Sequence, residues 1–199
     1  MRKVIVSNIM SVDGFYTGPN ENVMALNMDQ AFDEYNLERI RSAGTVLLGR
    51  NSFVGFGSYW PHIAEAPPDE DNRAVSHTNR EISRIYNRLP KVVISDTYIP
   101  PSGHPWFDST TVVTREAAGR WLADERTRGT GDILIFGSHR MWNGLLGHGL
   151  IDELHLMVSP SALAGGTPLF TGPVSLTPLD ARRCEDSDNL LLRYASAKG

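Results

Sequence analysis

The sequence predicts an α/β fold: a mainly parallel central sheet flanked by helices, with antiparallel strands gathered toward the C-terminus. Three observations predict it. Short apolar runs alternate with helical patterns over the first three quarters of the chain, and two of those runs pass through a glycine straight into a helix start. From Glu153 onward, strand signals follow one another with no helical pattern between them. Strands covered on both faces read as continuous Val/Ile/Leu runs and need crossover helices, whereas consecutive strands pair as antiparallel hairpins.

In the first strand, Val4, Val6 and Asn8 alternate with Lys3, Ile5, Ser7 and Ile9, a buried or half-buried pattern. Residues 29–42 (DQAFDEYNLERIRS) place Ala31, Tyr35 and Ile40 near one helical face, with Phe32 and Leu37 beside it and Gly44 as the C-terminal stop. A short strand, TVLL at 45–48, leads into Gly49-Arg50-Asn51-Ser52-Phe53, the opening of the next helix. Residues 60–76, with Pro67-Pro68-Asp69-Glu70-Asp71, read as a surface loop long enough to be a lid or a partner-facing insertion. A helix is predicted over 78–89, Thr78 and Glu81 having the spacing of a capping box. Then come a buried strand at 91–95 (KVVIS), a proline-rich loop at 99–105, a strand at 111–114 (TVVT) and a helix at 115–128. A glycine turn at 129–131 enters the strand DILIF at 132–136, and Gly137-Ser138 opens another helix. Strands at 153–159 (ELHLMVS), around 169–170, at 174–184 and at 190–194 complete the reading. No internal repeat or composition break divides the chain, so residues 1–199 are predicted to form one domain.

Composition narrows the function classes. At 199 residues and 41% hydrophobic, the chain can bury a full core. A net charge of -4 with no basic block offers nothing to a polyanion, which disfavours nucleic acid. No apolar run approaches the roughly 18 to 20 residues of a membrane helix. Asp13 interrupts the N-terminal apolar run and no small-residue cleavage site follows, so a signal peptide is disfavoured too. Cys184 is the only cysteine, which excludes an internal disulfide and fits a reducing compartment; it reads as a core or strand residue. Together these features predict a soluble cytoplasmic protein. The six histidines show no metal-ligand spacing, and no metal is expected. Ser138 does not lie in a G-x-S-x-G elbow. Neither G-x-x-x-x-G-K-[ST] nor a G-x-G-x-x-G after the first strand is present, which disfavours a Walker-type NTPase and an ordinary Rossmann dehydrogenase. Met24, Met28, Trp60 and Trp142 read as core or pocket wall.

The chemistry-bearing features are the two strand–glycine–helix junctions, Leu47–Ser52 and Ile135–Arg140. Both are expected at the carboxyl edge of the sheet, where ligands of such folds bind. A helix start there offers unpaired N–H groups and the positive end of the helix dipole, and two of them suit a pyrophosphate. Taken singly, each glycine is also accounted for as a tight turn. Asp13, in Ser11-Val12-Asp13-Gly14, either meets the polar edge of a ring or bonds its own backbone in an Asp-Gly turn. Glu153, at a strand start, has the same two readings.

Taken in order, Ser-Val-Asp-Gly at 11–14, Leu-Leu-Gly-Arg-Asn-Ser-Phe at 47–53, Lys-Val-Val-Ile-Ser at 91–95, Ile-Phe-Gly-Ser at 135–138, Gly-Leu-Ile-Asp-Glu-Leu-His-Leu at 149–156, Pro160 and Gly-Gly-Thr-Pro-Leu-Phe at 165–170 resemble the dihydrofolate-reductase-like superfamily. The match is closest to the branch containing the reductase domain of bacterial riboflavin biosynthesis. The resemblance implies the corresponding sheet, a C-terminal hairpin, a homodimer, and a nicotinamide dinucleotide across the strand ends, NADPH first and NADH second. By position it implies that Gly49, Arg50, Asn51 and Ser52 hold phosphates from one helix start and that Gly137, Ser138, His139 and Arg140 hold the pyrophosphate from the other. Ser95 and Asp96 would lie near the adenosine ribose with Arg115 close by, and Asp13 would face the nicotinamide or substrate pocket, with Glu153 near it.

The chain departs from that pattern in three places. Asp96 stands where NADPH-using relatives commonly carry a basic or hydroxyl residue, and an acidic side chain there favours a ribose 2′-hydroxyl; Arg50 or Arg115 would have to neutralise a 2′-phosphate. The helix carboxylate that meets the pterin in dihydrofolate reductases has three counterparts, Asp29, Asp33 and Glu34. The fused deaminase domain often found with the riboflavin reductase has no room or zinc-ligand cysteines in this chain. The implied activity is hydride transfer from NAD(P)H to a C=N or C=O of a small heterocycle, as in 5-amino-6-(5-phosphoribosylamino)uracil reductase or dihydrofolate reductase, with Asp13 in contact with substrate and supplying the proton. The alternative is a nucleotide- or flavin-binding module without catalysis.

Overall fold

The computed structural model describes residues 1–196 apart from Pro68 and Glu70. In chain order the elements are β1 (Val4–Ser11), β2 (Phe15–Thr17), α1 (Gln30–Ser42), β3 (Ala43–Gly49), α2 (Arg50–Ile63), α3 (His77–Arg88), β4 (Lys91–Ile94), β5 (Thr110–Val113), α4 (Arg115–Glu125), β6 (Asp132–Phe136), α5 (His139–Gly147), β7 (Glu153–Ser159), β8 (Thr167–Pro168), β9 (Leu176–Arg183) and β10 (Leu190–Ser196). Eight strands form one sheet in the order β5-β4-β3-β6-β1-β7-β10-β9, and β2 pairs with β8 in a side ribbon. Pairings from β5 through β7 are parallel, and β10 is antiparallel to both β7 and β9. This is the predicted α/β fold.

The apolar runs are continuous because both faces of the sheet are covered. Val4 and Val6 of β1 pack with Leu47, Ile133 and Ile135 under Ala118, Leu122, Trp142 and Leu145 of α4 and α5. Ile5, one residue out of phase, packs on the other face with Leu48, Val93 and Leu134 under Leu37, Ile40, Phe53 and Ile82 of α1, α2 and α3. This is the period-two alternation of a strand serving two cores. No helix among the described residues is long and apolar enough to cross a membrane.

Several local expectations are corrected. The loop expected from Trp60 begins only after Ile63, because α2 runs on through Pro61; of the acid-rich run, Pro68 and Glu70 lie outside the described residues. Ser76, not Thr78, caps α3 by accepting the Asn79 N–H, and Glu81 instead pairs with Arg41 of α1 at 2.7 Å. Helix α4 stops at Glu125, and the strand expected around 169–170 falls at Thr167–Pro168, with Leu169 in the core. Gly44 is a residue of β3 rather than a helix stop; a Cβ there would run into the Thr130 carbonyl, a close approach that periodicity does not reveal. Met24 is exposed, not core, and Cys184 is half-buried just past β9.

Parallel pairing sorts the polar residues between two edges. Carboxyl ends bring the Ser11–Gly14 turn, Gly49, Ser95, Thr114 and Gly137 to one edge, while Lys3, Lys91 and Glu153 lie at the amino edge. Glu153 pairs with Ile5, and Ser11 pairs with Ser159, six residues further along β7. At about 3.3 Å per residue that separates Glu153 from the β1 turn by about 20 Å. There buried Glu153 is ringed by partners: Lys3 Nζ at 2.5 Å, His155 Nε2 at 2.8 Å and Arg193 Nη2 at 3.3 Å, with Tyr35 Oη 2.6 Å from His155 Nδ1. Burial alone would raise the Glu153 carboxyl, but Lys3 and His155 hold it down to about 2. His155 therefore donates Nε2–H to a carboxylate and accepts the tyrosine proton at Nδ1.

Burial pushes the His155 imidazole down to about 4, against the partial support of Glu153. The folded-state value lies below the unfolded one, so the unfolded chain takes the proton first as pH falls. Stability contributed by neutral His155 is complete above about pH 6.5 and is lost between there and pH 4. Urea unfolding is expected to show about 2 kcal/mol lost at His155 between pH 7 and pH 5, a component absent from His155→Gln. Equal pH slopes for the two proteins would refute it.

Candidate functional site

The two glycine junctions meet at the carboxyl edge because β3 and β6 are neighbours in the sheet. Gly137 (φ +54°) and Ser138 (φ +56°) are consecutive left-handed residues. At Gly137 a Cβ would lie 3.1 Å from Ser52 Oγ and 3.2 Å from the Phe56 ring, so the turn requires glycine both for its dihedral and for space. Buried Asn8 steadies it by donating Nδ2–H to the Gly137 carbonyl at 3.2 Å. The junctions are tied reciprocally: Ser138 N–H donates to Ser52 Oγ at 2.7 Å, and Gly49 N–H donates to Ser138 Oγ at 3.0 Å. Each serine hydroxyl keeps a proton of its own to donate.

Helices α1, α3 and α4 are capped by the side chains of Asp29, Ser76 and Thr114. Helices α2 and α5 have no side-chain cap. Their first-turn N–H groups, from Arg50 to Ser52 and at His139 and Arg140, are left open at one place. Arg50 and Arg140 are exposed and form no ion pair among the described residues. The Arg50 guanidinium lies over the Tyr98 ring at 5.8 Å. Two braced helix starts, two hydroxyls and two free cations make a donor set that fits a diphosphate.

Beside this clamp, Ile94 at the end of β4 pairs with both Gly49 and Val113. The structure thus brings Ser95, Asp96 and Arg115 together one strand beyond Gly49. Ser95 is buried, and its Oγ accepts the Tyr98 N–H at 3.1 Å, holding the turn after β4. Asp96 Oδ1 accepts the Arg115 N–H at 2.9 Å while Oδ2 lies 3.5 Å from Arg115 Nε. The His139 ring turns away from the clamp: Nε2 lies 2.8 Å and 2.9 Å from the Pro168 and Leu169 carbonyls, and the ring stacks on Tyr16 at 4.8 Å. Only its backbone N–H belongs to the helix start.

The two carboxylates expected to do chemistry behave otherwise. Glu153 is at the amino edge, and the expectation that it lies near the nicotinamide or substrate pocket at the carboxyl edge is corrected. Asp13 is at the carboxyl edge but serves as a staple, accepting Ser11 Oγ–H at 2.6 Å, Leu163 N–H at 3.1 Å and Ala164 N–H at 2.7 Å. The Ser11 hydroxyl and these two amides hold its carboxyl at about 2. These donors favour its anion, and through Leu163 and Ala164 it anchors the segment before Gly165-Gly166.

Among the three acids near the start of α1, Asp29 caps the helix and accepts from Ser187 and Asn189. Glu34 bonds Gln30 at the surface. Asp33 is buried in the first turn, and its Oδ2 accepts from Arg73 Nη1 and Asn79 Nδ2, both at 2.9 Å. Burial pushes its carboxyl up to about 6, the Arg73 guanidinium opposing. Because α1 runs back toward the start of β3, its first turn lies at the carboxyl edge. The signal for Asp33 was available in the sequence: with Leu37 and Ile40 it forms an i, i+4, i+7 set, which is the buried stripe of the helix. Among the described residues no group of three or more His, Cys, Asp or Glu is placed to hold a metal ion.

Similarity to known proteins agrees with this architecture. The Bacillus subtilis (strain 168) protein YyaP, itself uncharacterized, is 25% identical over 172 residues, 85% of this chain and 80% of YyaP. The Thermotoga maritima diaminohydroxyphosphoribosylaminopyrimidine deaminase/5-amino-6-(5-phosphoribosylamino)uracil reductase superposes with a TM-score of 0.65 at 12% identity, over 98% of this chain and 57% of that one. Dihydrofolate reductase from Enterococcus faecalis, solved with NADP(H), superposes with a TM-score of 0.54 at 11% identity over 98% and 96% of the two chains. At these identities the two solved structures speak for the fold alone. The family described as the RibD C-terminal domain matches residues 2–192, which is nearly the whole sequence. The chain belongs to the RibD C-terminal domain family, with the dihydrofolate-reductase-like fold.

Proposed function

We propose that the protein is an NAD(P)H-dependent reductase acting on a small heterocycle of the pyrimidine or pterin kind, and that residues 1–199 work as one domain. The observation that carries this is the pair of uncapped, mutually braced helix starts at Gly49 and Ser138. The reductase activity named for the Thermotoga protein and the NADP(H) held by the Enterococcus enzyme support the same class. A bound nicotinamide would supply the hydride. The chain's own contribution is orientation and a proton. Backbone N–H groups of α2 and α5, with Arg50 and Arg140, hold the diphosphate; Ser52 and Ser138 fix the spacing between the two helix starts. Asp33, buried in the first turn of α1 with a carboxyl pushed up to about 6, would supply the proton to the reduced substrate. The edge strand β9 is exposed along nearly its whole length, with Leu179 and Leu190 of the hairpin open to solvent. We propose that a second copy of the chain covers it.

Arg50→Ala and Arg140→Ala are each expected to weaken NAD(P)H binding about tenfold, ~1.4 kcal/mol, in a fluorescence titration. The thermal midpoint should not move, since both side chains are exposed; unchanged affinity in both variants removes the clamp. On a substrate found in a panel of pterins, pyrimidines and quinones, Asp33→Asn should lower kcat about 100-fold and abolish the fall in rate as pH rises past about 6. Asp13→Asn should leave that midpoint in place; a profile that follows Asp13 would reverse the assignment, and cofactor binding with no turnover across the panel would favour a non-catalytic module. In light scattering the native chain should have twice its monomer mass, and Leu179→Lys should reduce it to monomer. A native monomer disposes of the interface.

A further inference from the structure

Three helices start at the carboxyl edge beside the clamp, and only one of them is closed. Helix α4 is capped twice, by Thr114 Oγ1 accepting the Ala117 N–H and by Asp96 Oδ1 accepting the Arg115 N–H at 2.9 Å. The same carboxylate lies 3.5 Å from Arg115 Nε, so it stands between the helix start and that guanidinium. Because the strand order is β5-β4-β3-β6-β1-β7, a dinucleotide held at the ends of β3 and β6 would direct one nucleoside toward β4 and β5 and the other toward β1 and β7. Hydride transfer needs a site from which water is excluded. The β1 side offers buried Ser7 and Asn8, whereas Asp96 and Arg115 are open to solvent. The adenosine half therefore belongs on the β4–β5 side, next to Asp96.

We infer that Asp96, locked between the start of α4 and Arg115, makes this subsite a binder of a ribose 2′-hydroxyl and a repeller of a 2′-phosphate, so that the chain selects NADH over NADPH. A 2′-hydroxyl can donate to the carboxylate, as acidic residues in dinucleotide folds accept it. A 2′-phosphate would bring a second anion against Asp96 at a helix start whose Arg115 and Ala117 N–H groups are already taken, where the Asp96 carboxylate occupies the anion's place. The inference rests on the dinucleotide reading above for the identity of the ligand, and adds which of the two cofactors it is.

Binding of NADH and NADPH to the full chain, followed by fluorescence titration without substrate, tests it. The native protein should bind NADH at least tenfold more tightly. Asp96→Ser should bring the two affinities together or reverse them, chiefly by improving NADPH, and Asp96→Asn should do the same in smaller measure; circular dichroism and thermal midpoint establish that both variants are folded. Tighter NADPH binding by the native protein, or a ratio that Asp96→Ser leaves unchanged, overturns the inference while leaving the dinucleotide site standing. Failure of both cofactors to bind the native protein overturns the dinucleotide site itself, and this inference with it.

Discussion

The reciprocal hydrogen bonds between Ser52 and Ser138 are the constraint on which the carboxyl edge depends. Each hydroxyl accepts an amide from the opposite junction, so the starts of α2 and α5 are held at one spacing by groups that belong to neither helix's own ladder. The arrangement is possible only because Gly137 and Ser138 both adopt left-handed backbone and Gly137 has no Cβ to strike Ser52 and Phe56. A non-glycine left-handed residue is costly on its own. Ser138 is kept there by the two hydrogen bonds and by the Asn8 side chain holding the preceding carbonyl.

The sheet treats its two edges differently. At the amino edge nearly every ionic group is engaged in holding the fold: Arg2 bonds the Gly131 carbonyl at 2.7 Å and pairs with Glu125, Arg126 pairs with Asp152 at 3.0 Å, and Glu153 is ringed by Lys3, His155 and Arg193. Lys91 is fully buried, its Nζ donating to Asn87 and Ser109 over the Trp106 ring, and burial pushes it down to about 7. Such groups would lose their partners if a ligand took them. At the carboxyl edge Arg115 and Arg73 are paired but Arg50 and Arg140 form no ion pair among the described residues, and this difference is why a charged residue in this chain has to be placed on the sheet before its role can be argued.

The fold was legible in the sequence because its signals are local. Val/Ile/Leu runs, glycine at a strand end and the helix-free stretch after Glu153 each determine a piece of backbone, and the order of the pieces determines the family resemblance. The clamp was legible for the same reason, since strand–Gly–helix is a local pattern. What failed depended on partners remote in sequence. Asp13 and Glu153 are both acids flanking strands, yet the backbone of Leu163 and Ala164 makes one a staple, and the amino-edge network makes the other a buried ion. Gly44 read as a helix stop because the Thr130 carbonyl that forbids its Cβ is far along the chain. His139 read as a phosphate ligand because Pro168 and Leu169, which hold its ring, arrive after a further strand.

Asp13 and Asp33 also show why residue type does not settle acid–base roles. A carboxylate gains its chemistry from the balance between desolvation, which favours the neutral acid, and donors, which favour the anion. Asp13 is exposed and takes a hydroxyl and two amides, so the donors decide and the anion is favoured. Asp33 also has two donors, but both converge on one oxygen, and the side chain sits beneath α3 where burial outweighs them. The same physics governs Asp96, which is ordinary as a residue and consequential for its address: a carboxylate at a helix start occupies the place an anionic ligand would otherwise take. At the ends of β3 and β6 the chain leaves that place open, and at the end of β5 the Asp96 carboxylate occupies it, so the helix starts on one edge differ in what they could accept.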